Sequence, residues 1–150
     1  MKKRILFLAV LAGVWGSCQV DKTGTPQLTN NTTLNGTWYL KSEVIDSFSN
    51  NTANTPDTIT SFTTNDFYKF NTDNTVVYAT TAAPAPITSY YSLLTNAGIQ
   101  TLTIGSPAGG AGYPYTVNKL TKDSLILYNT TTSVNTGITY TSYTTNYYTR

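Results

Sequence analysis

From residue 36 onward the chain sets apolar and polar side chains in short alternating runs, each closed by a cluster of Asn, Asp, Gly, Pro or Ser. Period-two alternation sends successive side chains to opposite faces of an extended strand. It predicts strands over residues 36–45, 58–63, 66–71, 75–80, 87–93, 100–104, 113–120, 124–129 and 138–148. Such regular spacing marks an antiparallel meander, sandwich or barrel. Turn clusters at 49–56, 71–74, 82–86, 96–98, 105–112 and 121–123 fill the gaps. Asn71, Thr72, Asp73 and Asn74 form the clearest hairpin turn, because Asn and Asp tolerate a left-handed backbone and bond their own main chain. No gap has the length of a crossover helix, which argues against a parallel sheet.

The same alternation assigns faces. Trp38, Leu40 and Val44 share one side of the first strand, with Tyr39, Lys41 and Glu43 on the other. Tyr68 and Phe70 are inward candidates, followed across the hairpin by Val76 and Tyr78. Tyr113, Tyr115 and Val117 share a face, as do Leu125 and Leu127. Tyr140 and Tyr143 lie three apart, so the last strand should carry a bulge or bend.

Composition supports strands and supplies the core. Of 150 residues, 31 are Thr and 12 are Tyr, both strand formers, and the length suits one domain. Aliphatic residues are scarce, so the tyrosines must provide much of the apolar area, each with a polar tip.

The start of the chain is different. Residues 1–17 join a basic segment (Lys2, Lys3, Arg4) to an apolar run and then to Gly16 and Ser17, the pattern of a secretory signal too short to span a bilayer. The only cysteine, Cys18, stands at its end. This placement resembles a bacterial lipoprotein signal, although Trp15 departs from the usual lipobox. The resemblance implies that Cys18 is lipidated and becomes the first mature residue. Acyl chains bury about 0.8 kcal/mol per CH₂, so a lipidated Cys18 anchors the protein to a membrane without a transmembrane helix. Residues 18–34 then read as a polar tether and 35–150 as the domain.

Charge and residue types exclude several functions. The formal charge of +2 includes the three basic leader residues; beyond them six basic side chains face seven acidic ones, which argues against a nucleic-acid partner. With no His and one Cys, neither a His/Cys zinc site, nor a Ser-His-Asp triad, nor an intrachain disulfide can form. Glu43, the sole glutamate, reads as solvated, and Asp46, Asp66, Asp73 and Asp123 read as caps at strand ends and turns. We therefore expect no enzyme, no metal and no cofactor. The glycine-rich stretch 105–112 lacks the Lys-Ser/Thr of a phosphate loop and reads as a rim loop.

Three motifs carry a resemblance to the lipocalin-like domains of bacterial lipoproteins. Leu34 to Leu40 (LNGTWYL) looks like their Gly-x-Trp opening, and Phe70 to Thr75 (FNTDNT) resembles their Asp-Gly-Thr hairpin with Asn74 in the glycine position. Tyr115 to Leu127 resembles a late hairpin, before an aromatic closing strand. The resemblance implies an up-and-down barrel of about eight strands. It also implies that Trp38 packs over the closed end beneath an arginine from the final strand; whether Arg150 reaches it is left open. Trp38 and Phe70 are then floor and core.

The set Tyr68, Phe70, Tyr78, Tyr90, Tyr113 and Tyr115 would line an aromatic cup, with Tyr78, Tyr113 and Tyr115 as ligand contacts. The expectation is a lipid-anchored protein of the cell envelope, on the outer membrane, binding a small apolar or amphipathic molecule. The alternative is a surface module contacting protein or carbohydrate, with no internal ligand.

Overall fold

The computed structural model describes residues 27–28, 33–105 and 112–150. Residues 1–17, read from the sequence as a signal, and Cys18 lie outside the described residues, as does the middle of the glycine-rich loop. The strands are β1 (Gln27–Leu28), β2 (Gly36–Ser49), β3 (Thr52–Ala53), β4 (Asp57–Ile59), β5 (Phe67–Phe70), β6 (Thr75–Thr80), β7 (Ala83–Asn96), β8 (Ile99–Ile104), β9 (Tyr113–Leu120), β10 (Ser124–Asn135) and β11 (Ile138–Thr149).

Eight of them close a barrel. The order β2-β5-β6-β7-β8-β9-β10-β11 returns to β2, and every neighbour is antiparallel, so the chain runs up and down around the ring. The segment predicted at 58–63 shortens to β4, which adds to β2 outside this ring and brings the count to eight. Closure leaves side chains alternating between a packed interior and the outside.

Three strands run well beyond their sequence pattern: β2 continues four residues past 45 to Ser49, and β7 and β10 exceed theirs by more. β7 starts before Pro84 and Pro86, residues read as a turn. Between the pairs Tyr78↔Ile87 and Thr80↔Ala83, three β7 residues face Ala79 alone, and β8 joins only from Tyr91 onward. The prolines therefore sit in a bulge on an unpaired flank, where no ladder donor is needed. β10 continues through Thr130–Asn135 beside β11, exposed throughout, so no alternation of burial marks it.

Local chemistry fixes the turns. Asn50-Asn51 (φ 48° and 64°), Ala97-Gly98 (47° and 81°) and Thr136-Gly137 (48° and 79°) all have positive φ, the geometry that matches the twist of a hairpin. Asn74 is left-handed at 62°, and Asp73 Oδ1 accepts the Thr75 N–H at 3.0 Å, as the turn chemistry requires.

One end of the barrel is plugged. Trp38 and Phe70 are buried with Val76, Leu93, Leu102, Leu125 and Leu127. The Trp38 indole N–H donates to Leu34 O at 2.6 Å, and the Arg150 guanidinium lies 4.4 Å from the ring centroid. Arg150 also donates to the carbonyls of Thr33 and Asn35, so the final strand does cap the tryptophan. Gly36 has φ +126°, and its missing Cβ would stand 3.6 Å from that guanidinium. Leu34, assigned to the tether, is 1% exposed and belongs to the core, and β1 within the same stretch pairs with β7. Those parts of the tether are held by the barrel, because they offer the apolar and ladder groups that the plugged end can use.

Candidate functional site

A cavity of about 180 Å³ lies in the half of the barrel away from Gly36 and Arg150. An irregularity in β2 creates its acidic wall. Tyr147 pairs with Ser42 but Tyr148 pairs with Leu40, so Lys41 is an inserted residue with no partner across the ladder. One extra residue reverses the alternation beyond it. Glu43, read from the sequence as solvated, therefore follows Leu40 into the cavity wall, and Val44 is carried to the other face. Asn146, the β11 partner of Glu43, is buried and also lines the cavity. Burial, and secondarily the charge of Asp57, raises the Glu43 carboxyl above its ordinary value.

A second carboxylate completes the wall. Asp66 is 5% exposed and accepts the N–H of Thr63 at 2.8 Å and that of Thr81 at 2.6 Å, with the hydroxyls of both threonines added. Burial opposes ionisation, but these hydrogen bonds outweigh it and hold the carboxyl below the usual value. Asp66 thus caps backbone, as its sequence position predicts, and also faces the cavity. Asp46 lies within β2, exposed, and not at a strand end.

Tyrosines form the remainder. The Tyr68 ring packs 5.7 Å from Tyr78 and 5.6 Å from Tyr148, and Tyr115, hydrogen-bonded to Tyr68, lines the cavity as well. Burial raises the hydroxyls of Tyr68, Tyr115 and Tyr148 above their ordinary values, so all three stay protonated at neutral pH. Tyr148 was missed as a cavity residue, because the adjacent Tyr147-Tyr148 pair gives no sign of which ring turns inward. Only the bulge decides it.

The expected aromatic cup is partly redistributed. Tyr78 and Tyr115 line the cavity, and Phe70 is core, in edge contact with Tyr91 at 5.0 Å. Tyr113 does not line it and is 70% exposed: it pairs with Ile104 on the last rung of β8 and β9, where no strand continues to cover it. Tyr90 is 64% exposed, since Ser89 and Tyr91 on either side take the inward positions. The rim loop is anchored at both ends. Gly105 N–H donates to Tyr90 O at 2.8 Å, the Ser89 hydroxyl donates to Gly105 O, and a Cβ on Gly112 would meet Thr103 Cγ2 at 2.6 Å and Ile104 O at 2.9 Å. Only glycine fits position 112. Among the described residues no group of three or more Asp, Glu, Cys or His side chains converges to hold a metal.

Compared with family models, with curated proteins and with solved structures, the chain matches none. Fold and site together define a closed up-and-down barrel, plugged at one end and holding an acid- and tyrosine-walled cavity in the other half.

Proposed function

We propose that this is a lipid-anchored protein of the cell envelope whose barrel binds a small amphipathic molecule. The cavity carries the reading. Its roughly 180 Å³ exceeds the ~150 Å³ that admits benzene but falls short of the ~300–1,000 Å³ of drug-sized sites. It suits a small molecule, or the head of a larger one, and not a long acyl chain. Its wall mixes rings with hydroxyls and carboxylates, which favours an amphipathic guest over a purely apolar one. The anchor rests on the leader and Cys18, and the lipocalin-like resemblance agrees with the Arg150–Trp38 cap.

Two measurements test this. Labelled palmitate should enter the wild type and not Cys18→Ala; equal labelling removes the anchor. A thermal-shift screen of small amphiphiles should give hits that Tyr115→Ala and Tyr78→Ala weaken by about 1 kcal/mol or more each, while Tyr113→Ala leaves them unchanged. A barrel for which no small molecule raises the melting temperature would favour the surface-module alternative, for which the exposed Thr-rich extension of β10 is the natural contact face.

A further inference from the structure

The wall of the cavity has a charge without a counter-charge. Glu43 makes no hydrogen bond or ion pair among the described residues, and the neighbouring charge that acts on it, Asp57, has its own sign. Asp66 adds a second carboxylate whose acceptors are already filled by Thr63 and Thr81, so it contributes field without needing a ligand. Among the described residues, no lysine or arginine lines the cavity. A half-buried carboxylate left unpaired is costly, and it is relieved by a cation.

The nature of that cation follows from the rest of the wall. Tyr68, Tyr78, Tyr115 and Tyr148 line it, and the absence of a converging ligand set among the described residues argues against a small metal ion, which demands several oxygen donors at close range. Aromatic rings beside a carboxylate suit a weakly hydrated organic cation, whose attraction to the ring quadrupole grows as water is excluded. Size agrees: choline has seven heavy atoms, one more than the benzene that a cavity of roughly 150 Å³ admits.

We propose that the cavity binds a small organic cation, an alkylated ammonium group, with Glu43 as its counter-ion and the rings of Tyr68, Tyr115 and Tyr148 as its cage. This rests on the reading of the barrel as a ligand binder and adds the chemical class of the ligand.

The experiment titrates the full domain by calorimetry with choline and with 3,3-dimethylbutan-1-ol, its uncharged isostere. Choline should bind at least about tenfold more tightly than the isostere. Glu43→Gln should remove that preference by weakening choline about tenfold, leave the isostere unchanged, and keep the wild-type circular dichroism spectrum. Glu43→Asp, which retains the charge, should keep much of the preference. If the isostere binds as well as choline, the cation inference is overturned while the ligand-binding barrel stands. If neither ligand binds, the cation inference is overturned, and the thermal-shift screen decides separately whether the barrel binds another small molecule. Choline binding that is indifferent to Glu43→Gln overturns the role of Glu43.

Discussion

At the plugged end, Trp38 gives its indole N–H to Leu34 O and its ring to Arg150, and the guanidinium in turn finds the carbonyls of Thr33 and Asn35. In the other half, Glu43 enters the cavity wall with no hydrogen-bond or ion-pair partner among the described residues, beside four tyrosines that line the same space. Both regions are built by the same strands, β2 and β11. The difference lies in a single inserted residue, Lys41, which leaves the ladder regular on one side and reverses its faces on the other. A satisfied end holds the fold, and in the other half the local pattern is broken.

The comparison can be broken most severely at the plugged end. Trp38→Ala should cost about 3–5 kcal/mol in chemical denaturation, as large core deletions do. A loss below about 1 kcal/mol would mean that the end is not the stabilising one. Asp66→Asn should cost about 1 kcal/mol at neutral pH, because the Thr63 and Thr81 donors lose a charged acceptor. Its folded carboxyl is held below the ordinary aspartate value, so its contribution is present above that range and fades as pH falls through the lowered value. The pH profile of the variant should be flatter than the wild type in that acid range.

Arg150→Ala follows, at about 0.5–1 kcal/mol for an exposed cation on an indole face. Arg150→Lys should recover only part of it, since an ammonium cannot lie flat on the ring. The smallest effect has the opposite sign. The Glu43 carboxyl lies above the ordinary glutamate value in the folded chain, so ionising it disfavours folding as pH rises through that raised value. Glu43→Gln should leave stability at pH 7 equal or raised by less than about 1 kcal/mol, solvent screening keeping the gain small. A clear loss would show that Glu43 has a structural partner and would erase the contrast between the two halves.

Much of this architecture was legible in residue order because its causes are local. Alternation marks a strand whichever neighbour it finds, and so the eight ring strands were located, with β2, β7 and β10 read too short. Asn71–Asn74 turns because its side chains bond its own backbone, and Gly36 precedes Trp38 because a positive φ is needed there. The limits were equally local in origin. Exposed Thr130–Asn135 has no buried face to pattern it, and Pro84 and Pro86 read as breakers until the missing flank of β7 is seen.

What residue order could not contain is the cavity. A bulge exists only relative to a partner strand, and Lys41 looks like any other residue until Tyr147 and Tyr148 are laid beside it. From that register follow the inward turn of Glu43 and Tyr148, while Tyr113 emerges because the strands around it end one rung too soon. The sequence by itself determined that the chain makes strands, where they turn and which tryptophan plugs the end. Which carboxylate faces the interior was decided only by tertiary structure, because a strand's faces are set by its own spacing but its inside is set by what it pairs with.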